Sequence, residues 1–256
     1  FAGAAEALAA GYAAATGHEV AFSAGATGKL YAQISAGAPF DAFLSADAAA
    51  PGRLEAEGRA VPGTRFTYAL GALVLWSPDP GADLADPIAA LRAARHVAIA
   101  NPDLAPFGKA AVETLETLEI SSEIAGRLVM GENIGQAHTL AASGAADLGF
   151  VAASSLVPES PGAAWPVPAG HHAPIRQDAV LLQHGAANAA AQGFLDYLRS
   201  DAARATIASF GYGPKVLARV LRLQRALGLA RDGMSLVQAS LAAGYLARLW
   251  DAEQIA

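Results

Sequence analysis

Short apolar runs alternate with alanine-rich stretches of helical period from one end of this chain to the other, and that alternation restricts the fold more than any other feature. Ala4–Thr16 carries Leu8 and Tyr12 four apart and predicts a helix with one apolar face, ended by Gly17. Glu19–Ser23 predicts a short strand, and the small-residue turn 24–28 then leads into a helix through Gln33 and Ile34. Pro39–Ser45 predicts a strand, Asp47–Glu57 a helix, and Phe66–Trp76 one long strand stopped by Pro78 and Pro80. A helix near Ile88–Ala94, a strand His96–Ala100, and a loop Asn101–Gly108 opening onto a helix through Leu118 follow. Strands at Leu128–Met130 and Leu148–Val151 flank a helix Gln136–Ala142; a last strand, Gln177–Leu182, precedes the mostly helical Ala187–Phe210. The expectation is α/β, in lobes with largely parallel sheets.

Composition narrows the function classes. With 54% hydrophobic residues among 256, a filled core is expected and long disorder is not. The net charge of −6, without a lysine- or arginine-dense block, argues against nucleic acid as a partner. No cysteine is present, which removes disulfides, thiolate metal sites and cysteine nucleophiles together. No apolar run reaches the roughly 18 residues that span a bilayer. The chain begins at Phe1 rather than Met, and the sequence alone leaves open whether a leader has been removed.

Three loops carry the chemistry. In Ser23–Ile34 (SAGATGKLYAQI), Gly25 and Gly28 allow close backbone approach, and Thr27 offers an amide and a hydroxyl at a helix start, where free amides attract an anion. A Walker nucleotide loop does not fit, because Ser23 replaces the first glycine and Leu30 the final Ser/Thr. Asn101–Gly108 (NPDLAPFG) and Glu132–Gln136 (ENIGQ) repeat the theme. Each alone is equally well an ordinary strand-to-helix loop; wound in the usual way, all three converge on one crevice. His171-His172 lacks a carboxylate at ligand spacing and reads as a surface loop. Ser154-Ser155 lacks a nucleophile-elbow context, Asp41 and Asp47 read as cap and turn residues, and no nucleophile–base pair points to an enzyme.

In order along the chain, SAGATGKLYAQI, AGAPFDAFLSAD, VPGTRFTYALGALVLWSPDPG, IANPDLAPFG, GENIGQAHTLAASGAADLGFVA and PIRQDAVLL resemble the periplasmic molybdate-binding proteins of ABC importers, from Phe1 to about Gly213. That resemblance implies the two-lobe type II periplasmic binding protein fold, with one lobe at about 1–73 and 181–213 and the other at about 74–180. It places the two crossings between lobes near Leu73–Trp76 and Gln177–Leu182. It implies a ligand, molybdate or tungstate, held without a cofactor by neutral donors. Carried onto this chain, those are the Thr27 hydroxyl and amide, the Phe107 and Ile134 backbone amides, and Gln177, which lies where some members place a cleft tyrosine. Any metal contact of Thr27, Phe107 and Ile134 would run through the bound oxyanion. The implied partner is a membrane permease, the implied compartment the periplasm or cell surface, and the implied state a monomer. Family members also carry a strand ending in a small residue and a donor just before the position matching Phe1. A form with that strand is therefore expected to bind more tightly and melt higher than the chain beginning at Phe1.

From Pro214 the composition changes: the tail to Ala256 has six basic and three acidic residues, against 11 and 20 before it. Gly213–Arg222 and Ser240–Tyr245 resemble the linker and early helix of arabinose-regulator-type helix-turn-helix domains, without a complete recognition helix. The tail at 214–256 is expected to be an appended helical segment. Substrate capture for an ABC importer is the leading function, and an oxyanion-sensing transcriptional regulator using the tail on DNA is the alternative.

Overall fold

The structure, a computed structural model, describes residues 2–156, 161–210 and 212. The tail at 214–256, with the helical extension expected there, lies outside the described residues.

Two sheets organise the chain. The first lobe contains α1 (Ala2–Thr16), α2 (Thr27–Ser35), β1 (Ala42–Leu44), α3 (Ala49–Ala56) and β2 (Phe66–Gly71). The chain then builds the second lobe from β3 (Leu73–Ser77), α4 (Pro87–Ala93), β4 (Val97–Ala100), α5 (Pro106–Thr117), α6 (Ser121–Ile124), β5 (Leu128–Gly131), α7 (Ile134–Ala142), β6 (Leu148–Ala152) and β7 (Ala163–Pro166). It returns through β8 (Ile175–Leu181) to α8 (Ala189–Leu198) and α9 (Asp201–Ser209). The sheets are β1-β8-β2 in the first lobe and β5-β4-β6-β3-β7 in the second.

Burial explains the second sheet. Every residue of β3 (LVLWS), β4 (VAIA) and β6 (LGFVA) is buried, as expected of central strands covered by helices on both faces. Leu73, Leu75, Ile99 and Phe150 meet Leu91, Ala111, Leu115 and Phe107 in one core. The first lobe packs Leu8 and Tyr12 of α1 against Phe194, Leu195 and Leu198 of α8. Its sheet is tied by Asp178 on β8, a buried carboxylate that accepts from Thr67 Oγ1 at 2.7 Å and from Arg65 at 3.1 Å.

Four expectations change. Phe66–Trp76 is not one strand: Ala72 separates β2 from β3, which join different sheets, so the first crossing falls between Gly71 and Leu73. The second crossing also falls earlier than expected, because β8 pairs along its length with β1 and β2 and the chain has returned before Ile175. The sheets are less parallel than the alternation implies. β8 runs antiparallel to both neighbours and β3 antiparallel to β6 and β7, leaving β4 with β5 and β6 as the parallel pairs. Lastly, Glu19–Ser23 forms no strand and runs mostly exposed between α1 and α2, with Val20 half-buried against the first lobe's core. Strand geometry needs a neighbour to take up its amides and carbonyls, and no strand lies beside this segment among the described residues. The edge strand β7, in the sequence AAWP, lacks the β-branched run that would announce it.

Asp147 fastens the start of β4 to the start of β6. Its carboxylate accepts from the Arg95 guanidinium at 2.7 Å and from the backbone amides of Arg95 and His96 at 2.8 and 3.3 Å. The Arg95 side chain first, and these amides with it, hold the carboxyl below its ordinary value. A group whose pKa is depressed on folding stabilises at neutral pH, and that stability is lost as pH falls through the folded value. Asp147→Ala is expected to lose about 0.5–1.5 kcal/mol at pH 7, because its partners are exposed to water. In thermal melts from pH 7 downward, the gap between native and variant should narrow below the ordinary carboxylate pKa of about 3.9.

Candidate functional site

Helix starts expose amides that the helix cannot satisfy, so the question is where such starts meet. Three do so between the lobes. α2 begins after Ala26 and α5 after Ala105, neither with a side-chain cap. At α7 the Asn133 side chain accepts from Gln136 N at 3.0 Å, and Gln136 Oε1 accepts from Glu132 N at 2.7 Å. Among the described residues no acceptor meets the backbone amides of Thr27, Phe107 or Ile134. Pro106, which has no amide, is the first residue of α5 and leaves Phe107 as its first donor.

Contacts across the gap bring these starts together. Gly28 N–H, in the first turn of α2, donates to Leu104 O at 3.1 Å, just before α5. Lys29 Nζ lies 2.7 Å from Glu132 Oε2, just before α7. The two loops of the second lobe are joined to each other by Asn101 N–H donating to Gly131 O at 2.7 Å. Thr27 is buried, and its Oγ1 accepts from Ala46 N at 3.3 Å, which leaves the hydroxyl hydrogen to donate. A cavity of about 360 Å³ opens between the starts of α2 and α5, with Thr27 and Gly28 on one wall and Leu104, Ala105 and Pro106 on the other; the start of α7 and Phe107 do not line it.

The positions are set by close packing. A Cβ on Gly108 would lie 2.2 Å from Ala100 O, so the first turn of α5 rests directly on the end of β4. A Cβ on Gly71 would lie 2.7 Å from the Phe107 ring and 3.1 Å from Gln177 Nε2, which places both side chains against the first crossing. Gln177 is buried on β8, and its Oε1 lies 3.2 Å from the Tyr68 hydroxyl, itself 3.2 Å from Ser45 O. Burial pushes the Tyr68 hydroxyl well above its ordinary pKa, so it stays protonated.

Thr27, Phe107 and Ile134 thus stand at the three helix starts, and Gln177 lies behind them at the crossing. Sequence reasoning missed the charged residues around the gap. Arg53, Lys109 and Arg176 line the cavity. Arg53 donates to the Tyr31 hydroxyl at 2.7 Å, Arg176 to Thr67 Oγ1 at 2.8 Å, and Lys109 lies 3.9 Å from Glu113. It also missed the pairing of Lys29 with Glu132, which holds the Glu132 carboxyl below its ordinary value. No local spacing links residues 103 apart, so no sequence signal was there to find it. Of the serines and histidines singled out by sequence, Ser154 Oγ lies 2.9 Å from the Tyr212 hydroxyl, the His171 ring packs against Trp165, and His172 Nδ1 lies 2.7 Å from Ala173 O.

A family model described as bacterial extracellular solute-binding protein matches residues 1–213. The chain is 48% identical over 198 residues to the molybdate-binding protein ModA of Rhodobacter capsulatus, spanning 77% of this chain and 78% of that protein. The solved periplasmic molybdate-binding protein of Azotobacter vinelandii superposes with a TM-score of 0.79 at 41% identity, over 84% of this chain and 95% of that one. The sulfate-binding protein SubI of Mycobacterium tuberculosis, at a TM-score of 0.72 and 14% identity over 84% and 85% of the two chains, shares the fold. The lobes are those of the type II periplasmic binding protein fold. Near-half identity over most of both chains, on a backbone that follows a relative almost to its full length, makes this chain a member of the bacterial extracellular solute-binding protein family, in its molybdate-binding branch.

Proposed function

We propose that this protein captures molybdate or tungstate in the gap between its lobes and delivers it to the permease of an ABC importer. The observation that supports this most directly is the meeting of three helix starts whose first free amides, on Thr27, Phe107 and Ile134, lack acceptors among the described residues. A tetrahedral dianion offers four oxygens to such donors, and the helix ends add a favourable field without a paired cation. In this reading Thr27 gives its hydroxyl and amide, and Phe107 and Ile134 give amides alone. Gln177 supports the wall through Tyr68 and the Phe107 ring. Selection rests on size: fixed amides that meet the oxygens of molybdate make looser contacts with the smaller sulfate.

Binding without chemistry, a periplasmic or surface location, a monomeric state and handover to a membrane permease accompany this reading; the name of the Azotobacter vinelandii protein supports the periplasmic location. Among the described residues no helix is long and apolar enough to cross a membrane. The regulator alternative draws no support: the family match ends at residue 213, and the tail it needs lies beyond.

Titration calorimetry with molybdate, tungstate, sulfate and phosphate tests the assignment. The first two are expected to bind at least about tenfold more tightly than sulfate, a gap of about 1.4 kcal/mol. Equal affinity for sulfate would remove molybdate as the cargo and leave the fold intact.

Hydrogen bonds to a charged partner contribute about 1.5–3 kcal/mol each, so Thr27→Ala should weaken molybdate binding about tenfold or more. The Phe107 ring is buried, so its control is Phe107→Leu, which keeps the amide and most of the volume and should cost less affinity. The reverse ranking would contradict the assigned roles.

Gly108→Ala should press α5 off β4, with an overpacking cost of about 1–3 kcal/mol in melts and a measurable loss of affinity. Gly126→Ala, where an added Cβ meets nothing within 4 Å, is the matched control and should change neither.

A further inference from the structure

We propose that Lys29 and Glu132 form an interlobe latch that closes the cleft and sets how fast the bound anion leaves, without touching the anion. The proposal rests on the reading of the cleft as an oxyanion site. The two residues belong to opposite lobes, and their side chains meet at 2.7 Å. Lys29 lies two residues after Thr27, and Glu132 two before Ile134, so the pair bridges the gap beside two of the three donors. Gly28 N–H to Leu104 O, at 3.1 Å, runs beside it as a backbone bond between the same lobes. On the far side, the Tyr212 ring packs with the first lobe's core while its hydroxyl lies 2.9 Å from Ser154 Oγ at the end of β6, so the lobes are joined at both ends.

The charges explain why a lysine stands in the first turn of a helix whose start is to face an anion. Alone, a cation there opposes the helix field, and a carboxylate at the mouth of an anion site repels the ligand. Joined, the two cancel, and their attraction draws the lobes together. Parting them exposes Lys29 at the rim, where it attracts an incoming anion. The Lys29 and Glu132 side chains are 47% and 57% exposed, so the pair is a modest fastening, screened by salt. It adjusts release without locking the cleft.

The test uses Lys29→Met, Glu132→Gln and the exchange Lys29→Glu with Glu132→Lys, each in the full chain. Molybdate dissociation is followed by stopped-flow fluorescence. Lobe separation without oxyanion is measured between spin labels on cysteines placed at the exposed Ala36 and Ala142; the chain has no other cysteine to label. Each single variant should speed dissociation about two- to fivefold and lengthen the ligand-free lobe distance, while melting with the native chain. The exchange should return both readings to within twofold of native, and 1 M salt should erase the differences. If the residues act only through their fields at the anion, Lys29→Met will speed release and Glu132→Gln will slow it. That opposition of signs overturns the latch, as does an exchange that folds but restores nothing. A native chain that binds no oxyanion would defeat the functional reading, while the ligand-free distances would still decide the latch.

Discussion

Backbone amides at a helix start point along the axis and find no partner within the helix, and the binding account for this protein depends on three such starts sharing one gap. Two belong to α5 and α7 of the second lobe, held on neighbouring parallel strands of one sheet. The third, α2, comes from the other lobe and meets them through Gly28 and Lys29. Fixed dipoles in a partly closed site cost no reorientation when a charge arrives, which lets a dianion be held without a dedicated cation. The rest of the architecture keeps those starts in register: Gly108 rests α5 on β4, and the Asn101–Gly131 hydrogen bond ties the two loops together.

A gap between two lobes must also open. The two crossings, at Ala72 and just before Ile175, are short and adjacent in the fold, since Ile175 pairs with Gly71. Around them lie the buried Phe107 ring and the buried Gln177, whose Oε1 is 3.2 Å from the Tyr68 hydroxyl, so the crossing packs directly against the first turn of α5. The mouth is closed by exposed polar contacts instead of apolar ones. That division, a packed hinge and a wet mouth, suits a protein that must both retain and release its cargo.

Much of this was legible in the sequence. The helices, the central strands and the three loops proposed to face the anion each carry local signals: alanine-rich period, continuous apolar runs, and glycine or proline at a helix start. The long run Phe66–Trp76 misled because apolar continuity is the same whether a strand stays in one sheet or passes between two; the break at Ala72 leaves no mark on hydropathy. Glu19–Ser23 misled for the opposite reason, since its apolar residues favour a strand but strand pairing is a long-range property. Gln177 is placed at the ligand by resemblance alone, since no local spacing marks it; on β8 it is buried, with its Oε1 3.2 Å from the Tyr68 hydroxyl. The Lys29–Glu132 pair and the cations Arg53, Lys109 and Arg176 around the cavity were invisible, because each depends on chain segments that meet only after folding.

The central claim is one of location: the anion sits among the three helix starts. A crystal of the protein with molybdate, with the molybdenum placed by its anomalous scattering, tests that most directly. The account predicts one molybdenum between the lobes, with anion oxygens at about 2.7–3.2 Å from the Thr27 hydroxyl and from the backbone nitrogens of Phe107 and Ile134. A molybdenum held instead by Arg53, Lys109 or Arg176 in the cavity, with those amides left to water, would contradict it.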